Sequence, residues 1–160
     1  MQWFNPKVVG MCFLAALLGG CTLFNQNKPT VTLRIHEEVD TVMAGPRAMP
    51  VSMPNYDLTL SVDPQPALSE KYVKSAEIYP TAGGSAIMVR FDRHGMMALD
   101  EITTRLRGRR LVTFLNQRPV AVWLVNQRLT NGQFLVQGEF TDEEAKQAVD
   151  QLNLLGKEKD

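Results

Sequence analysis

His36, Glu37, Glu38 and Asp40 form the densest group of titratable side chains in this 160-residue chain, and imidazole with carboxylates is a donor set that suits several divalent metals. The stretch around them alternates in polarity like a strand. Neighbouring strand residues point to opposite faces, so these four do not converge without help from elsewhere. The other histidine, His94, follows Asp92 at what reads as a helix start, where an aspartate caps exposed amides. No HExxH helix, serine nucleophile elbow or phosphate-cradling loop is present, and Gly83-Gly84 reads as a turn. No catalytic residue, metal ligand or cofactor is therefore expected, and the protein is read as a non-enzyme.

Cys21 has a different chemistry. The chain opens with a short polar stretch bearing Lys7, continues with the apolar run VVGMCFLAALL at 8–18, and reaches Leu18-Gly19-Gly20-Cys21. The run is about half of the ~20 residues that a membrane-spanning helix needs, which makes it a signal peptide rather than an anchor. Its end resembles the bacterial lipobox, in which the thiol receives a diacylglycerol, a peptidase cuts between Gly20 and Cys21, and the new amino group is acylated. Palmitate-type chains buried at about 0.8 kcal/mol per methylene make such attachment effectively permanent. Cys12 lies in the part to be removed, which excludes an intramolecular disulfide, a cysteine-based zinc site and a catalytic thiol. Thr22 takes the place of the aspartate that often retains lipoproteins in an inner membrane. In a two-membrane envelope the expected location is the outer membrane, facing the periplasm.

These readings divide the chain into a signal peptide (1–20), a lipidated tether (21–29) and a single domain (30–156). Loss of Lys7 leaves 16 Lys and Arg against 17 Asp and Glu, so the clear basic excess of a nucleic-acid binder is missing. One basic group does stand out: Arg105, Arg107, Arg109 and Arg110 cluster at a helix end, where they complement the helix dipole or contact anionic headgroups or an acidic partner. Trp123, in the strand-like run VAVWLV, either packs between sheet and helix or presents an anchor to a partner.

Periodicity supplies the elements. Val31, Leu33 and Ile35 alternate with polar residues, as do Tyr56, Leu58, Leu60 and Val62. Three prolines and a glycine at 42–55 read as a loop or extended crossing segment, and Ser69 opens a short helix at 70–75. Strands at 76–79 and 86–91 flank a Gly-rich hairpin turn. A helix follows from Asp92 to Gly108, with Met96, Leu99, Ile102 and Leu106 on one face. Strands at 111–115, 120–125 and 134–138 come next, then a helix that starts with the capping box Thr141-Asp142-Glu143-Glu144 and ends at Gly156. The economical fold is α+β, a mostly antiparallel sheet with two main helices packed on one face.

The run GGSAIMVRFDRHGMMALDEITTRLRGRRLVTFLNQRPVAVWLV, continued by LTNGQFLVQGEFTDEEAKQAVDQL, resembles the head subdomain in the first periplasmic region of SecD and SecDF, accessory proteins of the Sec translocon. The matching signals are Arg90-Phe91-Asp92, Ile102-Thr103, Gly108-Arg109-Arg110-Leu111, and Gly138-Glu139-Phe140-Thr141 followed by Glu143-Glu144-Ala145. The likeness covers 58–152. Where the family usually turns with Asp-Gly, this chain has Asn116-Gln117-Arg118-Pro119, so that loop is expected to differ. Six membrane-spanning helices that couple proton flow to pulling are also missing, so no motor activity is expected. The resemblance implies a membrane-anchored envelope module that binds proteins or peptides, related to translocation or envelope assembly. The alternative is a structural lipoprotein serving one fixed envelope partner.

Overall fold

The computed structural model describes residues 30–53 and 56–157. The segments expected to be signal peptide and tether, with Gly20 and Cys21, lie outside the described residues. The element order is β1 (Leu33–Glu37), α1 (Thr41–Ala44), a 3-10 turn (Gly45–Arg47), β2 (Met49–Met53), β3 (Leu58–Val62), β4 (Leu68–Ser69), a second 3-10 turn (Glu70–Tyr72), β5 (Val73–Thr81), β6 (Gly84–Phe91), α2 (Arg93–Arg105), β7 (Arg110–Leu115), β8 (Arg118–Leu124), β9 (Gln133–Val136) and α3 (Asp142–Lys157). The fold is α+β, and every strand pairing is antiparallel.

The expected single sheet resolves into three: a four-stranded one in the order β4-β1-β7-β8, a pair β2-β3, and a three-stranded one in the order β5-β6-β9. One core joins the larger sheets to both helices, with Leu33, Ile87, Leu99, Leu111, Phe134 and Leu152 among its buried members. Each fully buried aliphatic side chain contributes about 1.5–3 kcal/mol. A second cluster lies on the other face of β7, where Val51, Met53, Leu60 and Val62 pack against Val112. This explains why Leu111, Val112, Phe114 and Leu115 place apolar side chains on both faces of β7: it is covered on both sides.

Residues 42–55 are thus not merely a crossing loop, because Met49–Met53 pairs along its length with Leu58–Val62. Pro50 is tolerated because β2 lies at a sheet edge, where a missing donor disrupts no ladder. The helix expected at 70–75 shrinks to one 3-10 turn; Ser69 makes no capping bond and β5 begins at Val73. The long helices follow the sequence closely. Asp92 accepts a bond from Gly95 N–H at 2.9 Å, and Gly108 turns the chain at φ 84°. The capping box closes in both directions, Thr141 N–H to Glu144 at 2.9 Å and Glu144 N–H to the Thr141 hydroxyl at 3.1 Å. Gly156 does not end α3. It lies inside the helix because a Cβ there would sit 2.2 Å from the Lys74 carbonyl oxygen, so only glycine lets α3 approach β5 this closely.

The turn between β7 and β8 contains just Asn116 and Gln117, at φ 50° and 67°. Two left-handed residues are what an Asp-Gly pair adopts in the same kind of hairpin, so the change of sequence does not demand a different turn. Asn116 also receives the start of the domain: its side chain accepts from Thr32 N–H at 3.1 Å, and its own N–H donates to the Thr32 carbonyl at 2.9 Å.

Candidate functional site

The acidic group around His36 is used for structure. His36 is buried, with Nδ1 2.7 Å from the Asp63 carbonyl oxygen and its ring edge-on to Phe114 at 4.9 Å. Glu37 and Glu38 take Arg105 and Arg110, and Asp40 caps α1 through Val42 N–H. Among the described residues, no three His, Cys, Asp or Glu side chains gather as a metal site would require. His94 is exposed beside the capped start of α2.

The four arginines are likewise divided. Arg105 forms a two-pronged pair with Glu37 at 2.6 and 3.0 Å, and this hydrogen-bonded carboxylate holds its guanidinium pKa above the ordinary value. Arg110 bonds Glu38 at 3.0 Å, and Glu38 also accepts from the Arg110 backbone N–H. Among the described residues Arg107 reaches only the Asn126 carbonyl at 3.5 Å, and Arg109 is exposed. Within those residues the basic cluster is therefore reduced to two cations without an acidic partner. They stand at the end of the four-stranded sheet opposite the point where the chain arrives, since Leu33 pairs with Leu115 and Glu37 with Leu111.

Trp123 leads to the more developed surface. It is half-buried on β8 and meets buried Phe134 of β9 edge-to-face, with ring centroids 5.6 Å apart. Above this pair runs a groove of about 410 Å³ whose walls include Tyr56, Val122, Leu135 and Gln137. Leu124 and Tyr56, both large and about half exposed, add apolar surface nearby. Among the described residues, no charged side chain lines the groove.

The groove exists because two sheets meet at one point. β8 is an edge of the four-stranded sheet and β9 an edge of the three-stranded one. Glu139 N–H donates to the Val120 carbonyl at 2.8 Å, and Arg118 bonds the Glu139 carbonyl at 2.9 Å. Gly138 is what allows this approach, since a Cβ there would lie 2.2 Å from the Val120 carbonyl oxygen. From that junction the two edges run on without further pairing among the described residues. The alternation from Tyr56 to Val62 marked β3 in the sequence, but its partner β2 escaped detection, although Met49, Val51 and Met53 alternate with Pro50 and Ser52 at a strand's period.

The far end of β9 is positioned by α2. Thr103, buried like its neighbour Ile102, donates to the Leu99 carbonyl at 2.8 Å and accepts from Leu129 N–H at 3.0 Å. Arg128 in the same loop clasps Asp100 with Nε and Nη2, the latter at 2.8 Å, and this bond holds the Asp100 carboxyl pKa below the usual range.

Two edge strands that meet at a glycine, with α2 and α3 on a shared core, make up an α+β subdomain. The sequence model of the family described as "SecDF, P1 head subdomain" matches residues 48–154, and the chain belongs to that family. Among solved structures it is similar to SecDF in its super-membrane-facing form, at 19% identity and a TM-score of 0.60, over 79% of this chain. It is similar as well to a membrane component SecDF that enhances protein export, at 19% identity and a TM-score of 0.57. The chain spans 19% of the first of these and 63% of the second. No curated protein matches the sequence. Among the described residues, no helix is long and apolar enough to cross a membrane.

Proposed function

We propose that this protein is an envelope lipoprotein whose head-type domain binds polypeptides without catalysis, in protein translocation or envelope assembly. Residues 1–20 act as the signal, Cys21 carries the lipid, 21–29 form the tether, and 30–156 are the working domain, held at the periplasmic side of an outer membrane where there are two. The observation that carries the reading is the uncharged aromatic groove between β8 and β9, built over Trp123 and Phe134. Tryptophan and tyrosine at a groove supply large apolar contact with few rotatable bonds, the composition of binding hot spots. The SecDF that enhances protein export is a relative in fold, and a polypeptide ligand suits that company. Arg107 and Arg109, left without acidic partners among the described residues, offer the second contact, to an acidic partner or lipid headgroups.

The test is a photo-crosslinking residue at Gln137 in intact cells, followed by mass spectrometry. Many unfolded polypeptides in the crosslinked pool are expected. One stable co-purifying envelope protein would favour the fixed-partner reading instead, and no crosslinks at all would remove the groove. Mass analysis of the native N-terminus tests the anchor separately, with an acylated Cys21 as the expected first residue.

A further inference from the structure

The hydrogen-bond phase of the two edges specifies how the groove takes its ligand. Phe91 N–H donates to the Gly132 carbonyl, directly across from it in the β6-β9 register. Backbone bonding alternates along an antiparallel pair, so Phe134 and Val136 also bond toward β6, while Gln133, Leu135 and Gln137 turn their backbone groups outward. Two observations agree with this phase. Gln133 N–H goes to the Asn131 side chain, and the next outward residue beyond Gln137, Glu139, donates to Val120 of β8. On β8, Val125 N–H donates to Arg109 opposite it, which by the same alternation turns Val122 outward. The outward row of β9 is thus closed at both ends. Between them Leu135 and Gln137 face the groove with no backbone bond to β8 among the described residues.

We propose that the groove captures an extended polypeptide segment as an added strand on β9, with Leu135 and Gln137 supplying the backbone donors and acceptors. This rests on the polypeptide-binding reading above and specifies its mode. The junction at Val120 and Glu139 is a strand pairing already begun, and the ligand continues it into the space where the edges are unpaired. Charge selects the segment. The groove lining is uncharged, whereas Arg107 and Arg109 stand near the Leu124 end, since Arg110 pairs with Leu124. The favoured ligand is therefore a neutral run of alternating apolar residues with an acidic residue at one end. Main-chain bonds give it affinity while remaining indifferent to most of the sequence, the property expected of strand addition at a sheet edge.

The experiment uses the full chain in phospholipid nanodiscs and a ten-residue peptide of alternating valine and threonine ending in aspartate. Two N-methylated analogues are compared with it, one blocked on each set of alternate amides. One analogue should bind at least tenfold more weakly than the parent and the other within about twofold, because just one set of amides can face β9. Leu135→Pro should reproduce the tenfold loss without lowering the melting temperature, since the N–H it removes points away from β6; Leu135→Ala should lose less. Equal binding of both analogues, or undiminished binding to Leu135→Pro, would overturn strand addition while leaving peptide binding in place. Failure of the unmodified peptide to bind at any concentration would overturn both. Concentration-dependent dimerisation that protects Leu135 and Gln137 from amide exchange would overturn the proposal by assigning the edge to a second copy.

Discussion

The two outer strands of the three-stranded sheet, β5 and β9, are treated in opposite ways. Along β5 the outward groups of Ala76 are taken by one side chain, Asn153 of α3, which accepts from its N–H at 2.8 Å and donates to its carbonyl at 2.9 Å. Asn153 thereby imitates a neighbouring strand. Further along, Pro80 deletes a donor, and at the other end Gly156 brings α3 against the Lys74 carbonyl. Proline and a covering helix are standard protections against edge-to-edge association. Among the described residues β9 has no such cover between Leu135 and Gln137, and its neighbour across the groove is another edge. An exposed edge carries an association risk, so its retention on one side of a sheet guarded on the other is consistent with use.

The strongest way to break this contrast is to remove the guard. Gly156→Ala should cost about 2–3 kcal/mol, as overpacking at a backbone contact does, and lower the denaturant midpoint. Asn153→Ala should cost about 2 kcal/mol through the unsatisfied groups of Ala76, speed amide exchange there, and promote self-association through β5. Neither change should alter ligand binding at β9 once the protein is folded. Gln117→Gly serves as a control in the turn that leads into β8, away from the groove lining. It relieves a left-handed non-glycine residue and should raise stability by about 0.5–1 kcal/mol, with both edges unaffected.

The smallest effect sharpens the β9 side. Asp100 is held at a lowered pKa by Arg128, whose loop leads into β9. A depressed folded-state pKa gives stability that is fully present above the unfolded value, about 4, and is lost as pH falls through the folded one. Asp100→Asn should therefore be slightly less stable than the parent at pH 7, with the gap closing below about pH 4 in paired thermal melts. Amide exchange should quicken at Leu129 and remain unchanged along β5.

How much of this could be read from residue order depends on the range of the forces involved. The helices were legible because their signals are local: Asp92, Gly108 and the reciprocal Thr141-Glu144 cap act within one turn. The resemblance to the SecDF head was legible because such signals recur in a fixed order. β2 was hidden by Pro50 and the prolines on either side of the strand, since whether proline is tolerated depends on which sheet edge the strand occupies. The ion pairs of Arg105 and Arg110 join residues more than sixty positions apart, so the cluster looked more basic than it is. The arginines and Trp123 were named from sequence, but the groove was not, because it arises from two edges that come together in the fold.

The Gln151 side chain also bears on how the domain carries load. It accepts bonds from the Thr30 and Val31 N–H groups at 3.0 and 2.9 Å, just before the chain runs into β1 between β4 and β7. Tension arriving through the preceding residues would meet this clasp and then act along β1, stressing its ladder with β7 in parallel instead of one rung after another. Such a pull would reach the β1-β7 ladder before the β5-β6-β9 sheet that holds the other wall of the groove.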